Sequence, residues 1–239
     1  MVGALGIGLL LTTTVCTKAP DAVLFPYTDV VIFVDADRAP RSTIIRRLEL
    51  VRQVGEFYNR RPFYDRFHLR ILGIGEANPS GATLFDATRT GYNSQGTFNP
   101  PAFVNRYSQV AAATHNRDLV GTLAILATMV RNQPESRFLV IYISNMIHVT
   151  PRLDTSQLGR GQLGFEDFKR DYRSLLPPRG AFREGGARVD VLIHIVGESA
   201  AADAELPQFW ASTIFRDHLG ANPRFAAGTT LIDLLTRAH

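Results

Sequence analysis

The sequence is poor in cysteine, lysine and tryptophan. Its 239 residues include one cysteine, Cys16, and one tryptophan, Trp210. A single cysteine excludes an internal disulfide, a CxxC pair and a thiolate metal site. Only two of the 26 basic residues, Lys18 and Lys169, are lysines, and the rest are arginines. The formal charge is +4, yet the arginines are scattered, with only pairs such as Arg46-Arg47 and Arg60-Arg61. No basic-aromatic motif accompanies them, so a nucleic-acid partner is not expected. After the first twenty residues no apolar run reaches the about 18 residues needed to cross a bilayer. There is no P-loop, no GxSxG elbow, no GxGxxG at a strand-helix turn, and no HxxxH or HExxH among the six histidines.

Hydrophobic residues make up 45% of the chain and charged residues 20%, a balance that excludes disordered, collagen-like and coiled-coil classes. The chain opens on the apolar stretch Met1 to Leu11, followed by Thr12-Thr13-Thr14-Val15-Cys16. That length matches the h-region of a signal peptide. Residues 1–16 therefore read as an export signal of lipoprotein type, with Cys16 as the acylated residue. Thr13 and Val15 depart from the usual lipobox. Residues 17–27, punctuated by Pro20 and Pro26, read as a tether, and residues 28–239 as one domain. The expected address is extracytoplasmic, in the periplasm or cell envelope, with a membrane anchor at Cys16.

Within that domain Asp29 to Asp35 is a continuous apolar run ending in an acid. Continuous apolarity marks a strand buried on both faces, as in a parallel sheet covered by helices. A helix is expected over about 40–59, with Ile44, Leu48, Val51, Val54 or Gly55, and Tyr58 at helical spacing. Further strands are expected at 67–74, 137–144 and 189–196. Helices are expected at about 101–112, 118–131, 165–176 and 206–219, the last capped by Gly220. Residues 76–100 and 149–163 read as long polar loops. Strands alternating with helices predict a single doubly wound α/β domain with a mostly parallel sheet. Ligands of such sheets bind at the strand carboxyl ends. That rule selects Asp35-Ala36-Asp37, Ser144-Asn145 and Gly197-Glu198-Ser199.

Asp35 and Asp37 at a strand end offer oxygen ligands for Mg²⁺ or Mn²⁺. They equally suit local amide hydrogen bonds and a helix cap. Ser144 and Asn145 add donors or a turn. Asp118 and Thr122 open a helix, where Asp118 is a candidate ligand or a helix-terminal charge. His194 inside a strand and Trp210 with Phe209 and Phe215 read as core packing.

The strand DVVIFVD before a long helix, then FHLRILGIG, DLVGTLAIL and RFLVIYISNMI, resembles a von Willebrand factor A domain. RVDVLIHIVG, a helix containing QFW and the ending HLGA resemble its bacterial extracytoplasmic branch. The resemblance covers roughly residues 28–220. It implies a metal-ion-dependent adhesion site with a first loop Asp-x-Ser-x-Ser, a Thr from a second loop and an Asp after a later strand. Carried onto this chain, these positions hold Asp35, Asp37, Ala39, Thr114 or Thr122, and Asn145. Lost charge and coordination imply no metal, or only weakly bound Mg²⁺ or Mn²⁺, with Arg38 taking the cation's place. The implied role is non-enzymatic binding of a protein partner through the loops 76–100 and 146–163. VIFVDAD is also similar to the first motif of haloacid-dehalogenase-type Mg²⁺-dependent phosphatases. Asp35 would then be the nucleophile, Asp37 the general acid/base and Ser144 the phosphate ligand, with Lys169, Glu198 and Asp203 completing the set.

Overall fold

The computed structural model describes residues 27–60, 67–75, 83–89, 96–114, 116–151, 153–157, 166, 168, 170, 173–197, 205–226 and 231. Cys16, Lys169, Glu198, Ser199, Asp203 and parts of both polar loops lie outside them. Six strands form the main sheet: β1 (Asp29–Asp35), β2 (Phe67–Ile74), β3 (Thr83–Arg89), β4 (Arg137–Ser144), β7 (Arg188–Ile195) and β8 (Asn222–Phe225). Their order is β3-β2-β1-β4-β7-β8. All pairings are parallel except β2 with β3. A two-stranded hairpin, β5 (Val149–Thr150) and β6 (Leu153–Asp154), stands apart. This is the doubly wound α/β sheet expected from the strand patterning.

β1 shows why the middle of the sheet is apolar throughout. Every one of its residues is buried. Val30, Ile32 and Val34 face one core, shared with Val51, Val54 and Tyr58 of α1 (Arg41–Arg60) and Phe103 and Tyr107 of α2 (Pro100–Ala113). Val31 and Phe33 face the other, with Leu123, Leu126 and Val130 of α3 (Leu119–Asn132). Side chains alternate across a strand, so a strand with helices on both sides must be apolar at every position.

Caps set the helix starts. Asn99 accepts from the Ala102 amide at 3.2 Å ahead of Pro100, and Asp118 accepts from the Gly121 amide at 2.7 Å. The Phe98 ring fills a notch over α1 at Gly55, where a Cβ would lie 2.1 Å from the ring.

The structure differs from the sequence reading in several elements. β3 lies inside the stretch read as the loop 76–100, and β5 and β6 lie inside the second loop. β8 was not expected. The stripe over 206–219 begins as a short turn, α4 (Glu205–Gln208), and continues as a π-helix, Phe209–Leu219. It ends at Gly220 in the left-handed region with φ 82°, as the glycine predicts. Of 165–176, the described residues 166, 168 and 170 are helical and Arg173–Leu175 forms a 3₁₀ turn.

Candidate functional site

β1 ends at Asp35, with Ile74 beside it on β2 and the end of β4 on the other side. Asp35 is fully buried. Its Oδ1 accepts from Ser144 Oγ at 2.8 Å. Its Oδ2 accepts from the Asn145 amide at 3.1 Å and from Arg47 Nη2 at 3.0 Å. Its backbone carbonyl accepts from Arg47 Nη1 at 3.2 Å and from the Tyr107 hydroxyl at 2.8 Å. Asp35 thereby joins the ends of two strands to two helices.

Arg47, like Tyr107 and Arg117, was missed by sequence reasoning. It lies on the buried face of α1 with only 1% of its side chain exposed. Its Nη1 also donates to Asp37 Oδ1 at 2.6 Å. One guanidinium thus bridges both carboxylates, using the fork geometry that suits arginine and not lysine. Its Nε is buried without a partner. Burial pushes the Asp35 carboxyl upward, against the pull of Arg47. Burial also opposes the charge on Arg47, but Asp35 and Asp37 outweigh it and hold the guanidinium above its ordinary value.

A second guanidinium closes the rim. Arg117 Nε stands 3.4 Å from Asp37 Oδ2, and its Nη1 donates to Asn145 Oδ1 at 3.1 Å. Asn145 Oδ1 also accepts from the Ile147 amide at 3.1 Å, and Ser144 Oγ from the Met146 amide at 2.9 Å. Met146 between them has φ 60°, a left-handed conformation unfavourable for a side chain of its size. The polar groups around Asp35 hold that turn in place.

The structure brings Asp35, Asp37, Ser144 and Asn145 together and leaves the other candidates apart. Arg38 is exposed and makes no ion pair with Asp35; the guanidinium paired with Asp35 is that of Arg47, and Arg117 stands beside Asp37. Asp118 caps α3. Thr122 donates to the Leu119 carbonyl at 2.6 Å and bonds the buried Tyr142 hydroxyl at 2.9 Å. Thr114 donates to the Val110 carbonyl at 2.8 Å. Apart from the Thr122–Tyr142 bond between α3 and β4, these are local ties to the side chain's own helix.

A divalent cation does not fit this arrangement. Mg²⁺ needs six oxygen ligands in near-ideal geometry. Here the inner oxygens of both carboxylates face a cation already present. Among the described residues no three His, Cys, Asp or Glu side chains converge as a metal group. Nor does Asp35 present a free oxygen to a phosphorus atom, since both are hydrogen-bonded and buried.

His148 lies beside the Met146 turn. Its Nδ1 accepts from the Val120 amide at 3.4 Å, which requires the proton on Nε2. Burial pulls its pKa down, outweighing Asp118 and Asp154. His194 on β7 is also lowered, by burial and then by Arg46.

No family model and no curated protein matches the chain. Among solved structures it is similar to the SpRpn10 VWA domain, with 13% identity, TM-score 0.42, and coverage of 89% of this chain and 95% of that one. It is also similar to the human COPII-coat protein Sec24c, at 8% identity and TM-score 0.39. That match covers 84% of this chain and 30% of that one. Similarity at this level assigns neither family nor activity.

Proposed function

We propose that this chain is an exported, non-enzymatic protein-interaction domain of von Willebrand factor A type, whose strand-end site is held by an internal guanidinium instead of a divalent cation. The observation that carries the reading is Arg47 bridging Asp35 and Asp37. The sheet order supports it too: β1 is interior, and one strand, β3, runs antiparallel at the edge. A site with its charges paired internally binds by shape and rim contacts, without capturing a partner's carboxylate on a metal. The rim is formed by Asp37, Arg117, Asn145 and Ile147, with the exposed Arg38 next to Asp37 in the chain.

A photo-reactive residue at position 38 tests this in cells. It is expected to give a discrete protein adduct that the same probe at Arg131, at the far end of α3, does not give. Equal adducts from both positions, or none from position 38, would contradict the reading. Aryl phosphate turnover abolished by Asp35→Asn would show instead that the domain is an enzyme. Acylation at Cys16 belongs to the same proposal. Cys16→Ser is expected to move the protein from the membrane to the soluble fraction, and unchanged partitioning would remove the anchor.

A further inference from the structure

A second site lies away from Asp35, where the 3₁₀ turn Arg173–Leu175 and the chain to Gly180 pack against the π-helix. The cleft between them has a volume of about 580 Å³, within the roughly 300–1,000 Å³ of small-molecule sites. Arg170, Arg173, Arg179 and His218 line it, with Leu176 and Ile214 as an apolar wall. Glu166 and Asp217 also reach the cleft, so its formal charge is +1 with His218 neutral and +2 with it protonated.

Three features make this more than a basic surface. Arg173 and Arg179 are exposed and make no ion pair among the described residues, so two guanidinium forks remain available. His218 Nε2 faces the Pro177 carbonyl at 2.8 Å. A carbonyl cannot donate, so the proton sits on Nε2, and Nδ1 is left for a ligand or a second proton. The cleft wall is itself held firmly. The Gly180 amide donates to the His218 carbonyl at 2.7 Å, and Arg183 Nε donates to the Gly220 carbonyl at 2.9 Å.

The helix bearing Ile214 and His218 is π-wound over eleven residues. Such winding is rare and occurs often at functional sites. The helix ends where β8 begins, at the level of Asp190 near the start of β7. The cleft therefore lies toward the amino ends of the strands, whereas Asp35 sits at a carboxyl end. The strand-end reading neither uses nor explains these arginines.

We infer that this cleft binds a small organic phosphate: a dianionic head held by the Arg173 and Arg179 forks beside His218, with an apolar body against Leu176 and Ile214. Guanidinium pairs phosphate in two parallel hydrogen bonds, and the apolar wall favours an ester over the free ion.

Calorimetric titration of the full chain with phenylphosphonate, a non-hydrolysable probe, tests the inference. Inorganic phosphate, benzoate and matched sodium chloride serve as comparisons. Saturable binding of phenylphosphonate is expected, tighter than either comparison anion. Arg173→Gln/Arg179→Gln is expected to weaken it at least tenfold while leaving the thermal midpoint unchanged, because both side chains are exposed. No saturable binding would overturn the inference, as would equal affinity for benzoate or for inorganic phosphate. So would a response reproduced by chloride, or undiminished binding in the double variant.

Discussion

At the scale of single residues, the buried Arg47 guanidinium and the carboxylates of Asp35 and Asp37 depend on one another. Removing one partner of such a group strands a charge without water and costs about 3–5 kcal/mol. Arg47→Met is expected to lose stability of that order in urea denaturation. Arg47→Lys should recover only part of it, since an ammonium cannot bridge both carboxylates as the fork does. A loss below about 1 kcal/mol would contradict the bridge. His148 gives a pH prediction. Its native pKa lies below the unfolded value of about 6.5, so between the two values the unfolded chain binds more protons. The stability it contributes is complete above about pH 6.5 and is lost as pH falls through the native value. Denaturation midpoints from pH 7 to 5 should therefore fall less steeply in His148→Gln than in the wild type. Asp35, Asp37, Ser144 and Asn145 were legible from the sequence because a strand end announces itself. Arg47 was not, since it is twelve positions from Asp35 in the middle of a helix. Its signal was present: it falls with Thr43, Leu50, Val51, Val54 and Tyr58 on the face α1 buries. A charged residue on an apolar stripe needs a buried partner.

Among the elements, close packing is tested at Gly55. Gly55→Ala would force the Phe98 ring out of its notch and is expected to destabilise by about 1–3 kcal/mol, read as a lower midpoint in thermal unfolding. No change would mean that the ring is free to move. Phe98 also stacks edge-on with Phe85 of β3 at 5.4 Å, so this contact ties α1 to the sheet edge. The fully buried strands were readable because short apolar runs rich in β-branched residues, such as VVIFV, suit a strand covered on both faces. β3 and β8 were not. TLFDATR covers only one face of an edge strand and mixes its apolar and polar positions, while NPRF carries a proline, which only an edge tolerates. The π-winding of Phe209–Leu219 was equally hidden. Its apolar stripe fits a helix, and the wider turn depends on packing that Leu206, Trp210, Phe215 and Leu219 make in three dimensions.

For the whole molecule, sheet order places the ends of β1 and β4 side by side, and everything proposed about the strand-end site follows from that. The Asp35 cluster is a switch-point site of the doubly wound fold whose carboxylates are paired with Arg47. Local patterning could fix the sheet class and the strand ends. It could not choose which of 24 arginines would arrive there, because that depends on the register of α1 against the sheet. The central claim is that Arg47 replaces a divalent ion, and a thermal-shift titration with Mg²⁺ and Mn²⁺ tests it directly. A ligand that binds only the native state at about 100 times its Kd stabilises by about 2.7 kcal/mol, which moves the midpoint by several degrees. The wild type is expected to show no rise beyond that of matched ionic strength, and Arg47→Met/Asn145→Asp to gain one. A saturable rise in the wild type would contradict the account.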